Sequence, residues 1–248
     1  MAEAIRIPSI SVIIPAFNEA NYITETLNRL AAAEQRFKSV ADSVVQILVV
    51  DNASTDRTAE IARQAGATII YESEHNIARV RNAGAAKALH DFLVFLDADT
   101  LVPPELLIEI ARTMTNPICI GGAVDCLHQT NRIVIRAYLR FWRILGLILG
   151  AAQGACQFCR ASVFRELGGY DETWYLGEDV DFYWRMKRLA RQRDMLTLLI
   201  RDLQVVPSPR RWDLWPHWRI LIQTSPLYNF VLRRHKAAWG GWYKEPPR

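Results

Sequence analysis

The apolar run Phe92–Leu96 stops at Asp97, and a second aspartate follows at Asp99. In an extended segment residues i and i+2 point the same way, so both carboxylates can converge on one ligand. Hard oxygen donors, few in number and with room left for phosphate oxygens, suit Mg2+ or Mn2+ bound to a nucleotide diphosphate. Taken alone, the pair is equally explained by a solvated turn, because aspartate is a common turn residue. Other stretches carry groups of the same kind. "PAFNE" (15–19) contains Asn18 and Glu19, and "DNASTD" (51–56) contains Asp51 and Asn52. Ser54, Thr55 and Asp56 read as N-caps for the helix that follows, which leaves Asp51 free to accept hydrogen bonds from a base. "RVRNAG" (79–84) sets Arg79 and Arg81 near a helix start, where pyrophosphate charge would be welcome; the plainer reading is a solvated helical face. "GEDVD" (177–181) puts Glu178, Asp179 and Asp181 before an amphipathic helix, whose dipole accounts for one or two of them. Glycines at 168, 169 and 177 suit sharp turns or close approach to a ligand.

The elements that must position these groups follow from the apolar pattern. Strand-length runs at 9–15, 44–50, 67–71 and 91–96 are followed by helical stretches at 20–34, 56–65 and 77–89, and by one starting at "PPELL". The strands are continuous aliphatic runs and not alternating ones, so they are buried on both faces. That predicts an α/β fold with a mostly parallel central sheet and helices on both sides. Ligands bind at the carboxyl ends of such strands, where Asn18, Glu19, Asp51, Asn52, Asp97 and Asp99 fall along one edge. The first turn has no glycine, and neither a G-x-G-x-x-G nor a Walker loop occurs, which argues against dinucleotide or P-loop binding.

The ordered set P-A-F-N-E, D-N-A-S-T-D, R-N-A-G, D-A-D-T, G-G-Y-D-E and G-E-D-V-D, across residues 9–190, resembles the family 2 glycosyltransferases, and within them the small non-processive bacterial type. The resemblance implies the GT-A fold and an activity: sugar transfer from a nucleotide-diphospho-sugar to an acceptor hydroxyl, with inversion and with Mn2+ or Mg2+ as cofactor. A UDP-sugar is favoured over GDP-mannose as donor, and the acceptor would be a sugar, a lipid-linked group or a cell-envelope glycan. It further implies that Pro15, Ala16, Asn18, Glu19, Asp51 and Arg81 line the nucleotide pocket. Asp97 would contact the ribose or sugar and stand beside the metal, which Asp99 would bind. Asp179 would be the general base with Glu178 in support, and Gly154 and Ala155 would lie under the donor sugar and acceptor. Two departures stand out. Asn76 occupies a place where the family often has glycine, and asparagine tolerates left-handed backbone better than most residues. The processive Q-x-x-R-W signature is only partly echoed by "SPRRW" (208–212), which argues against a polymerising synthase. A sugar nucleotidyltransferase would instead need a glycine- and arginine-rich loop after the first strand. A non-catalytic sugar-nucleotide or membrane-binding scaffold would have no need of intact Asp99 and Asp179.

The chain has 248 residues, half of them hydrophobic, which fits one large domain with an appended tail. The expected division is a transferase domain at 1–200, its nucleotide half about 9–100 and its acceptor half about 101–200, and a tail at 201–248. The start "MAEAIRIPSI" lacks a basic region followed by an apolar one, so no secretory signal is expected and the expected location is cytoplasmic. Cys156 and Cys159 form a C-x-x-C without a second pair, as buried thiols do and a zinc site does not. The net charge of +4 is uneven: from Arg201 on there are nine Lys/Arg and three Asp/Glu, together with five tryptophans. In 132–152, Arg132, Arg136, Arg140 and Arg143 are spaced four, four and three, and so form one basic stripe opposite Ile, Leu, Phe and Trp. Such a helix either lies in a bilayer interface, with the tail beside it on the inner membrane face, or packs on the core with a solvated arginine face. No helix-turn-helix, zinc-finger or RNP pattern supports a nucleic-acid partner.

Overall fold

A computed structural model describes residues 8–149, 154–225, 228 and 231–239. The first half alternates strands and helices as β1 (Ile10–Ala16), α1 (Ile23–Lys38), β2 (Val45–Asp51), α2 (Thr58–Gln64), β3 (Thr68–Tyr71), α3 (Ile77–Ala85) and β4 (Phe92–Leu96). The second half contains β5 (Thr100–Leu101), α4 (Leu106–Thr115), β6 (Cys119–Cys126), α5 (Ile133–Leu149), β7 (Cys156–Arg160), α6 (Ala161–Glu166), α7 (Glu178–Gln192), β8 (Leu196–Pro207), α8 (Arg210–Leu214) and α9 (His217–Gln223). One sheet runs in the order β3-β2-β1-β4-β7-β6-β8-β5. The β1–β2, β1–β4, β2–β3 and β6–β8 pairs are parallel, and β7 runs antiparallel to both of its neighbours.

The sheet is buried on both faces because alternate residues of each strand enter different cores. Ile10, Val12 and Ile14, with Phe92, Val94 and Leu96, pack under α1 and α4. Ile13, Leu93 and Phe95 face the other way, against α3, α6 and α7. Cys156 and Cys159 fall into opposite cores as buried free thiols, so the C-x-x-C forms no site. α3 lies so close to the sheet that a Cβ on Gly84 would sit 2.4 Å from the Ile13 Cγ2 and 2.8 Å from the Val50 Cγ2.

Several boundaries and roles differ from expectation. α2 begins at Thr58, and of Ser54, Thr55 and Asp56 only Asp56 meets its first turn, accepting from the Thr58 N–H at 2.9 Å. Asn76 is extended (φ −153°), not left-handed, and its side chain caps α3 by accepting from the Arg79 N–H at 3.0 Å. The division expected at 200/201 falls inside β8, which runs unbroken to Pro207. α5 has three faces where two were expected. Ile135 and Leu139 face inward with Trp215 and Ile220, the arginines flank them, and a third, apolar face points to solvent. Residues 150–152 of the expected helix, and Trp242, lie outside the described residues. Among the described residues no helix is long and apolar enough to cross a membrane.

Candidate active site

β1 lies between β2 and β4, so the loops that follow these three strands adjoin. The first two are stitched together. The Asn18 N–H donates to the Ser54 Oγ (3.0 Å), the Thr55 N–H donates to the Asn18 Oδ1 (2.8 Å), and the Glu19 N–H donates to the Thr58 Oγ1 (2.8 Å). Ser54 and Thr55 thus brace Asn18 instead of capping α2. Asn18 sits at φ +54°, which asparagine tolerates, and Ala53 at φ +57°, which alanine does not favour. Asp51 is buried and accepts from the Ser54 N–H at 3.3 Å. Asn52 turns away from the pocket, donating to the carbonyls of Glu72 and Glu74 at 2.8 Å each. Pro15 and Ala16 close β1 beneath this loop pair.

The centre of the site is Arg81, buried at the floor. Its guanidinium donates to Asp97 at 3.0 Å and to Glu178 at 2.5 Å, and it stacks over the Tyr170 ring at 5.3 Å. Burial works against its charge, but the carboxylates of Asp97 and Glu178 overcome that and raise its pKa. Arg81 therefore joins two motifs, while Arg79 is exposed among Glu72, Glu74 and Glu172.

The acids of α7 sit at its start, after Gly177 at φ +78°. Burial pushes Glu178 up to about 7, with repulsion from Asp179 adding to it, and burial likewise raises Asp179. Two adjacent carboxyls in one low-dielectric place titrate as a pair. Asp181 is engaged elsewhere, by Arg185 at 2.6 Å. Asp179 Oδ1 accepts from the Val180 N–H at 2.8 Å, and its carboxylate also takes the backbone N–H of Gly154. Gly154 has to be glycine here: a Cβ would lie 2.4 Å from the Asp179 Oδ2. The next carbonyl, of Ala155, accepts from the Asp97 N–H at 3.1 Å. Residues 154–155 thus tie the base candidate to the Asp97 turn.

Sequence reasoning missed Arg210, Arg211, Gln157 and Tyr170. β8 ends by pairing with β5, and the Ser208 N–H donates to the Asp99 carbonyl at 3.0 Å, which delivers the start of α8 to the site. Arg210 pairs with Glu19 and, at 3.2 Å, with Asp99, and it lies over the Tyr22 ring at 4.5 Å. Burial pushes Glu19 up to about 7, against the pull of Arg210, and raises Asp99 as well. Burial pushes Arg211 down to about 10, so it stays a cation at neutral pH. Gln157 Nε2 holds the Asp179 carbonyl at 3.0 Å while its Oε1 accepts from the Tyr170 hydroxyl at 3.2 Å. The double arginine of "SPRRW" was the available signal, but assigning it to a separate tail hid its role.

For a divalent cation the test is the donor set. Among the described residues no group of three or more His, Cys, Asp or Glu is arranged to hold one. Asp97 and Asp99 are partly exposed carboxylates at a strand end, and Glu19 Oε2 is buried beside them with no hydrogen-bond partner. One or two carboxylates, with substrate phosphates completing the shell, is how Mg2+-type ions are held. The residues fit such an ion bound together with a nucleotide.

This combination, an α/β sheet with acids at adjoining strand ends and an acid pair opening a later helix, defines a class of group-transfer protein. The glycosyl transferase family 2 profile matches residues 11–168, and the chain belongs to that family. Glycosyltransferase AglE of Haloferax volcanii is 35% identical over 143 residues, 54% of this chain and 45% of AglE. The chain spans about half the length of the first curated relatives it matches. Among solved structures, mannosyltransferase PcManGT of Pyrobaculum calidifontis with GDP-Man and Mn2+ superposes with a TM-score of 0.65 at 22% identity, covering 86% of this chain and 60% of that one. S. aureus TarS 1–349 with UDP-GlcNAc superposes at 0.60 with 18% identity, covering 81% and 59%. The fold is GT-A.

Proposed function

We propose that this protein transfers a sugar from a nucleotide-diphospho-sugar to an acceptor hydroxyl, in one inverting displacement and without processive elongation. The observation that carries the reading is the buried Arg81 pairing with both Asp97 and Glu178, with Asp179 next to Glu178 and packed on Gly154, whose neighbour Ala155 accepts from the Asp97 N–H. A carboxylate raised by burial holds a proton more readily than a solvated one, which suits a base that must take a proton from an acceptor hydroxyl. As Asp179 takes that proton, the hydroxyl oxygen forms its bond to the anomeric carbon, and the bond to the diphosphate breaks on the opposite face. Such a base contributes about 10²–10⁴-fold.

Asn18, Glu19 and Asp51 surround the nucleotide end, with Asp51 buried where a base edge would meet it. The donor is a UDP- or GDP-sugar, the classes carried by the two solved neighbours, and the acceptor a sugar or lipid-linked hydroxyl. Asp99, with Asp97 beside it, would hold Mn2+ or Mg2+, which when bound supplies positive charge to the departing diphosphate. Arg210 and Arg211 add two half-buried cations on the same side, suited to phosphate oxygens.

The test is a panel of UDP- and GDP-sugars with and without Mn2+, with donor binding followed by thermal shift and the anomeric configuration of the product read by NMR. Asp179→Asn should lower turnover by at least about 10²-fold while donor affinity persists. Undiminished turnover by that variant would remove Asp179 from the role, and release of pyrophosphate would indicate a nucleotidyltransferase instead.

A further inference from the structure

The solvent face of α5 has no partner among the described residues. Ile133, Val134, Phe141, Ile144 and Ile148 are each more than half exposed, and Ala137 is exposed between them. Their separations of one, three, four, three and four place all six within an arc of about 100° on a helix. The inward face of α5 is separate, formed by Ile135 and Leu139 against Trp215 and Ile220. α9, held to α5 by that contact and by the Tyr138–Thr224 hydroxyl pair at 2.5 Å, exposes Trp218, Leu221 and Ile222. Exposed apolar surface of this extent marks a docking surface.

Charge selects the occupant. Neither α5 nor α9 contains an acidic residue, and they contribute Arg136, Arg140, Arg143 and Arg219. Arg136 donates to the Thr130 carbonyl, and Arg132, just before α5, to those of Trp212 and Trp215. A carbonyl satisfies an N–H without cancelling a charge, so both remain full cations; among the described residues Asp125 neutralises Arg143. The other nearby acid, Asp213, accepts from the Thr130 hydroxyl at 2.5 Å and keeps its negative charge, so one anion stands against Arg132, Arg136, Arg140 and Arg219. A surface that is apolar, edged by arginine and tipped by an exposed tryptophan matches an anionic lipid interface.

We infer that α5 and α9 form a docking face for an anionic bilayer, with α5 lying in the plane of the interface. This goes beyond the transferase reading and is tested without donor or acceptor, so either can fail alone. The full chain should cosediment with phosphatidylcholine–phosphatidylglycerol vesicles and much less with phosphatidylcholine alone. The Phe141→Asp/Ile144→Asp variant should lose at least about tenfold in vesicle affinity, the least expected from withdrawing two buried apolar side chains, with its melting temperature unchanged. Ile133→Asp, at the exposed start of the helix, serves as an independent variant. Arg136→Gln/Arg140→Gln should weaken binding by about tenfold and reduce its salt sensitivity. Wild-type protein left in the supernatant with both vesicles, equal binding by the aspartate variants, or a dimer that those variants dissolve without any vesicle binding, would each overturn the assignment.

Discussion

Arg81 shows how little of a site's wiring is carried by residue type. Its place in "RVRNAG" suggested a ligand for phosphate, yet its partners are Asp97, sixteen residues on, and Glu178, ninety-seven residues on. No local pattern reports such pairings. Arg81→Met should cost about 3–5 kcal/mol, because it leaves buried carboxylates uncompensated; denaturant unfolding measures this. The motif acids themselves were readable as types at strand ends, since isolated charge beside an apolar run demands a partner. Gly154 was expected, from resemblance, under the donor sugar and acceptor; in the structure Asp179 occupies the space of its missing Cβ. Gly154→Ala should therefore reduce kcat by about 10²-fold or more with donor affinity nearly unchanged, as steady-state kinetics would separate. The pH profile tests the same pair. In the proposed role of base Asp179 acts only when deprotonated, and burial raises its pKa. Activity is then lost as pH falls through that raised value, so the acid limb of kcat should lie above where a solvated aspartate would put it.

At the scale of elements, β1 to β4 were legible because they are continuous aliphatic runs, and their ends differ from expectation by about a residue. The later strands were not. β6, "CIGGAVDC", carries two glycines and an aspartate, and a Cβ at Gly122 would lie 2.0 Å from the Leu198 carbonyl oxygen, so its composition is set by close approach to β8. β8 mixes exposed and half-buried positions and bends across register shifts against β6. The short pairing of β5 with β8 depends wholly on tertiary folding. Gly84 tests the close packing of α3: Gly84→Ala improves helix propensity, but its methyl would overlap Ile13 and Val50. A loss of about 1–3 kcal/mol is expected, seen as a melting temperature lower by several degrees. A stabilised variant would mean that α3 can move off the sheet.

For the whole molecule, the uneven charge suggested a body and a separate tail, but the chain folds back on itself. Composition detects basic surplus; it does not show that one of those arginines pairs with an acid near the opposite end of the sequence. Arg210, 191 residues from Glu19, closes the site. Arg210→Ala should weaken donor binding by about tenfold or more, the size of one charge-assisted hydrogen bond, as calorimetry would show. α8 carries Arg210 at its start, and the residue just past its end, Trp215, packs into the cluster with Ile135 and Leu139 of α5. A single five-residue helix therefore joins Glu19 and Asp99 to the outer face. Thermodynamic reciprocity follows from such a joint. If occupancy of the site by nucleotide changes the affinity of α5 for a surface, that surface must change nucleotide affinity by the same factor. Vesicle partitioning measured with and without UDP and Mn2+, set beside nucleotide titrations with and without vesicles, would give two ratios that must agree.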